Sequence, residues 1–192
     1  MEPRLRQAKA GQRVVLFVDA SHFVFGAFLG CLWCLVRRWV RGPSGRQRVN
    51  VLGALNAVTH RLTTVVNESY INAESVCQLL HLISRQYAGR PVTLFLDNAR
   101  YQRCELVRQV AVTLCIELQF LPSYSPNLNL IERFWKFVKK QCLYSRYYSD
   151  FEGFRTAILD CVTNAPRKHK RELNTLLTAN FQSFEKTQFL TV

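Results

Sequence analysis

The chain has 192 residues, 48% of them hydrophobic, which suits one domain with a real core, or one domain with a short appendage. Its 26 Lys and Arg against 13 Asp and Glu leave a net charge of +13. That surplus points to a polyanionic partner, because each neutralised phosphate releases condensed counterions, although ribosome-bound and membrane-surface proteins share it. Seven cysteines without framework spacing argue against a disulfide scaffold and for reduced thiols, and Cys31 and Cys34 lack the second ligand pair a zinc site needs.

In chain order, residues 1–12 read as a basic tail or linker remnant, too polar for a secretory leader. VVLFVDA (14–20) is a short valine-rich run of the kind that forms a buried strand. The apolar run FVFGAFLGCLWCLV (23–36) falls short of the ~20 residues of a membrane helix. Its glycines and aromatics suit buried strands joined by a turn, so a soluble chain without membrane insertion is expected. A strand is expected within 31–40, then an arginine-rich Gly/Pro/Ser turn over 41–48. VNVLGALNAV (49–58) and RLTTVVNE (61–68) complete an antiparallel meander, with Thr59 and His60 in the turn.

The pattern then changes period. Asn72 is positioned to cap a helix over 73–88, ended by Gly89. PVTLFLD (91–97) is another strand, followed by a helix over 101–113 and the strand IELQFL (116–121). The loop PSYSPN (122–127) leads into a helix over 128–142, and 150–165 and 169–180 read as helical. The result is an α/β protein with a mixed five-stranded sheet, a three-strand antiparallel meander plus two further strands, flanked by helices. Residues 13–145 form the core, and 146–192 a C-terminal helical extension of the same domain.

Three carboxylates stand at telling places. Asp19 ends the first strand, Asp97 the fourth, and Glu132 lies near the start of the helix after the fifth. Singly, each has an ordinary explanation: a turn-capping Asp, or a helical Glu paired with Lys136. Together they would gather hard oxygen ligands at one sheet end, where carboxylates repel unless a cation is present. Mg²⁺ suits such a site, and two ions ~3.5–4 Å apart can clamp an in-line phosphoryl displacement. Ile131, Phe134, Trp135, Val138 and Cys142 make the apolar stripe of the helix. Glu132 lies beside that stripe with Lys136 and Lys139 on the same side.

The segments LFVDASHF (16–23), LFLDNARYQR (94–103) and LQFLPSYSPNLNLIERFWKFVKK (118–140) resemble the catalytic blocks of mariner-type and related bacterial insertion-sequence transposases of the DDE superfamily. PSGRQRVNVLGALNAVTH (43–60) resembles that family's second block, and 34 residues lie between Asp97 and Glu132, a spacing characteristic of one branch. The likeness spans about residues 13–145. It implies an RNase H-like fold, Asp19, Asp97 and Glu132 as catalytic metal ligands, two Mg²⁺ ions with Mn²⁺ as substitute, and cut-and-paste reaction at transposon ends with transfer to target DNA. It also implies a homodimer on DNA and a cytoplasmic, nucleoid-associated protein. Two departures stand out. Many relatives carry a His shortly after the second Asp, where this chain has Tyr101 and Gln102. Relatives also carry N-terminal helix-turn-helix modules, so recognition is expected from a partner protein or reading frame.

Candidate DNA contacts are Arg37, Arg38, Trp39, Arg41, Arg46 and Arg48 around the basic turn, and Lys136, Lys139 and Lys140 along the helix. A solvated hairpin tip explains the arginines equally well without the resemblance. Arg167, Lys168, Lys170 and Arg171 suit a solvated loop. His22, Asn98, Tyr124 and Ser125 are candidates for supporting the acids. Two other readings remain open: a stand-alone structure-selective nuclease on the same fold, and a DNA-binding remnant without activity.

Overall fold

The structure is a computed structural model and describes residues 1–26, 35–36, 47–122 and 125–181. Its sheet contains β1 (Val14–Val24), β2 (Arg48–Asn56), β3 (Leu62–Asn67), β4 (Val92–Leu96) and β5 (Ile116–Phe120) in the order β3-β2-β1-β4-β5. β1, β2 and β3 pair antiparallel, as the meander predicts, whereas β4 and β5 join β1 in parallel. The helices are α1 (Glu2–Lys9), α2 (Ala73–Gln86), α3 (Glu105–Thr113), α4 (Leu130–Cys142), α5 (Phe151–Lys168) and α6 (Lys170–Leu176).

Alternation along the strands sorts the core into two layers. Val14, Leu16 and Val18 of β1, with Leu94 and Leu96 of β4, are buried against Leu79, Leu80 and Ile83 of α2 and Val107 of α3. Val15 and Phe17, with Phe95 and Val51, are buried on the other face against Ile131, Phe134 and Trp135 of α4 and Ile158 of α5. Helices on both faces explain why β1 and β4 read as unbroken apolar runs.

Local chemistry starts the helices where expected. Asn72 caps α2: its Oδ1 accepts from Ser75 N at 3.0 Å, while Ser75 Oγ accepts from Asn72 N at 3.4 Å, a reciprocal capping box. Asp150 caps α5 by accepting from Gly153 N at 2.7 Å. The helix expected over 101–113 is split into a 3₁₀ turn at Arg100–Gln102 and α3 proper.

Two expectations need correction. Residues 1–12 are not a tail: 2–9 are helical, with Leu5 and Ala8 buried one turn apart. Charge dominated that stretch, yet two small apolar contacts and Pro3 in the first turn suffice for a docked helix. Arg4 and Arg13 both bind Glu117 of β5 at 2.8 Å, tying the N-terminal segment down. Asp19 does not end β1, which continues to Val24 because β2 pairs with it from Leu16 to Val24. The strand expected within 31–40 lies almost wholly outside the described residues, as do Arg37, Arg38, Trp39, Arg41, Arg46 and Tyr124. Among the described residues no helix is long and apolar enough to cross a membrane, and Cys77, Cys104, Cys115, Cys142 and Cys161 are free thiols.

Candidate active site

The site begins where β1 and β4 part. Their parallel ladder runs from Val14 opposite Val92 to Phe17 opposite Phe95 and stops there. Asp19 and Asp97 each follow two residues later, so they share one register and one face of the sheet. That face is the one covered by α4, as the 5.2 Å stacking of Phe17 on Phe95 beneath that helix layer marks. Glu132 stands in the first turn of α4. A parting of strands at the carboxyl end of a parallel pair is where α/β sheets open a crevice.

Two residues set how close α4 comes to the acids. Asn129, just before the helix, is buried and donates from Nδ2 to the carbonyl of Val18 at 3.2 Å, pinning the helix start one residue before Asp19. Gly53 of β2 is the antiparallel partner of Asp19. A Cβ there would lie 2.8 Å from Cζ2 and 2.9 Å from Cη2 of Trp135, and 3.1 Å from Cδ1 of Ile131. The missing side chain lets the Trp135 ring lie on the sheet, one turn beyond Glu132. Gly53→Ala is therefore expected to destabilise the protein by about 1–3 kcal/mol, the usual range for overpacking a filled core. It should also lower activity per folded molecule by lifting α4. Urea unfolding alongside cleavage rates measures both, and full activity in the folded fraction would rule out a role for this seat.

The electrostatics are those of a crowded acidic site. Burial, reinforced by the charges of Asp97 and Glu132, lifts the Asp19 carboxyl to about 7, against the opposing pull of the Ala20 backbone and Lys139. Burial also raises Glu132, with Asp97 adding to the rise and Lys136 and Lys139 opposing it. Tyr101 is pushed up to about 12 by burial and by Asp97 and Asp19, so its phenol is a neutral hydroxyl beside the two aspartates. The sequence showed Tyr101 only as the place of a missing His.

A cavity of about 360 Å³ opens over the site, lined by Asp19, Ala20, His22, Glu132, Lys136 and Lys139 among others. Asp97 lies beside it, with its Oδ1 accepting from Ala99 N at 3.1 Å. Among the described residues no three His, Cys, Asp or Glu side chains are gathered as a ready cage for an ion. The donor set nonetheless fits hard divalent cations: three carboxylates in mutual electrostatic range, one held at an unfavourable ionisation by burial and by its neighbours.

The remaining candidates divide. His22 is exposed, and its Nδ1 lies 2.7 Å from Oδ1 of buried Asn50, whose Nδ2 donates to Asn67 and Ser69. Asn98 donates to the carbonyl of Leu121, tying the end of β4 to that of β5. The carbonyl of Ser125 accepts from Leu128 N in the turn before α4. Arg48 is exposed at the start of β2 and donates to the carbonyl of Ser69. Lys140 is exposed on α4, outside the lining of the cavity.

A mixed sheet of this order with helices on both faces is the RNase H-like fold of transposase and integrase catalytic cores. The sequence profile of the DDE superfamily endonucleases matches residues 14–155. The chain belongs to that family. The catalytic domain of Mos1 transposase, solved with raltegravir and Mg, superposes with a TM-score of 0.61 at 16% identity over 96% of this chain and 92% of that one. The Mos1 strand transfer complex gives 0.63 at 17% identity over 92% of this chain. The catalytic core of BIV integrase gives 0.53 at 15% identity over 80% of this chain and 84% of that one. At such identities the likeness is one of fold. The chain spans 55% and 60% of the transposase chains in the Mos1 strand transfer and paired-end complexes. No curated protein matches by sequence.

Proposed function

We propose that this is a transposase catalytic domain in which Asp19, Asp97 and Glu132 hold divalent metal to cut DNA at transposon ends and join the freed 3′-hydroxyl to target DNA. The observation that carries the reading is the shared register of Asp19 and Asp97 at the parting of β1 and β4, with Glu132 brought over them by α4. Mg²⁺, or Mn²⁺ in its place, supplies activation of the attacking oxygen and stabilisation of the leaving one. Asp19, Asp97 and Glu132 would hold it, with Asp97 Oδ1 steadied by the Ala99 amide. Lys136 and Lys139 hold the phosphate backbone along α4. The strand order and Gly53 set the spacing on which in-line attack depends.

We further propose a homodimer on DNA in the cytoplasm, at the nucleoid, with end recognition supplied by a helix-turn-helix module. The test is to incubate the protein with labelled pre-cut transposon ends, supercoiled target and Mg²⁺. Joined products are expected. Cleavage without joining would favour a stand-alone nuclease, and binding without either would favour an inactive DNA-binding remnant.

A further inference from the structure

Two buried donors beside the acids have no partner among the described residues. Ser21 follows Asp19 by two residues on the same face of β1 and is 3% exposed. Trp135 follows Glu132 by three residues on α4 and is 4% exposed. Neither Ser21 Oγ nor Trp135 Nε1 has a hydrogen-bond partner among the described residues, and both residues line the cavity shared with Lys136 and Lys139. Buried polar groups are rarely left unsatisfied, and an indole N–H can only donate. What completes this site must bring an acceptor, and the two lysines favour an anionic one.

The geometry points to a phosphate subsite in which Trp135 Nε1, Ser21 Oγ and the Lys136 and Lys139 ammonium groups bind a phosphodiester flanking the scissile one. This rests on the DNA-processing reading above and adds where the strand is gripped. Ser21 stands two residues beyond Asp19 along β1, and Trp135 one turn beyond Glu132 along α4, so the phosphate bound here is displaced along both elements from the acids. A non-bridging oxygen pair suits the arrangement: one oxygen takes the indole N–H, and the other takes the hydroxyl. The Trp135 ring is held for this task. Its Cζ2 and Cη2 atoms rest over Gly53, and Phe23 packs against it in a T-shaped contact at 6.4 Å, so the ring is fixed in place. Asp19 and Glu132 share the cavity and oppose an anion, so the lysines and bound cations must outweigh them.

The indole N–H itself is the reporter. Its ¹⁵N–¹H signal is assigned by its disappearance in Trp135→Phe. A short duplex carrying a transposon end, or a generic duplex of the same length, is titrated in EDTA with wild-type protein and in Mg²⁺ with Asp97→Ala. A saturable downfield shift in either arm is expected, with duplex affinity about tenfold weaker in Ser21→Ala, a near-isosteric change that retains the fold. An indole signal unmoved in both arms while DNA binds elsewhere would overturn the subsite and show that water satisfies these donors. Joining activity that persists with an unmoved signal sinks this inference alone. A shifted signal in a protein that never cuts or joins sinks the catalytic reading and leaves the subsite standing.

Discussion

Asp19→Asn is expected to give a protein that cannot cleave DNA yet, without metal at pH 8, resists unfolding better than the parent. The sign follows from the direction of the shift. Burial, helped by Asp97 and Glu132, raises the Asp19 carboxyl from 3.8 to about 7. The folded state therefore prefers the neutral acid more than the unfolded chain does. The stability this group contributes is complete below about pH 4, drains away as the pH climbs, and is gone above about pH 7. A shift of this size corresponds to at most about 4 kcal/mol, at 1.36 kcal/mol per pH unit. Asparagine keeps the shape without the charge, so urea unfolding in EDTA should show a gain of about 2–4 kcal/mol at pH 8 and almost none at pH 4. Identical curves at pH 8 would mean that the carboxylate is not held against its preference. The same linkage predicts that added Mg²⁺ stabilises the parent at pH 8 and loses its effect as Asp19 protonates below pH 7.

The second large effect is on the chemistry. Asp97→Ala and Glu132→Gln should each lower Mg²⁺-dependent cleavage by at least about a thousandfold, since a catalytic metal supplies several kcal/mol and 1.36 kcal/mol is tenfold in rate. Both acids are only partly buried, so neither change removes much packing, and thermal unfolding should stay near that of the parent. DNA binding in EDTA should survive both changes, because the lysines of α4 and the wider basic surplus carry it. Rates within a factor of ten of the parent for either variant would remove that residue from the metal site. Loss of DNA binding in step with activity would instead indicate a folding defect.

Much of this was legible in the chain itself because the relevant signals are local. The apolar runs at 14–20 and 91–97 read as buried strands, Asn72 marked a helix start, and the stripe through Ile131, Phe134, Trp135 and Val138 placed Glu132 beside the buried face of α4. The family motifs then brought three remote acids together. What stayed hidden depends on partners distant in sequence. β1 runs five residues past Asp19 because Val49, Asn50 and their neighbours pair with it, which no property of residues 20–24 announces. Leu5 and Ala8 are too few to outweigh the surrounding charge until β1 is there to cover them.

The supporting residues of the site were less visible still. Gly53 looked like an incidental glycine in a strand, although a strand-interior glycine often marks close approach of another element. Asn129 stands in an N-cap position, a local signal, but its amide reaches back to Val18 instead of capping the helix. Ser21 carries no pattern, and Trp135 reads only as one member of the apolar stripe. Their importance comes from what they lack, which only a folded arrangement reveals.

Function in this domain requires three acids to converge on shared ions at the parting of β1 and β4. Crystals of the protein soaked in Mn²⁺ and measured at the manganese edge test this directly. The expected result is anomalous density within first-coordination distance, roughly 2.0–2.2 Å, of oxygens from Asp19, Asp97 and Glu132. Manganese bound elsewhere, or bound by Asp19 and Glu132 without Asp97 even with DNA present, would contradict it.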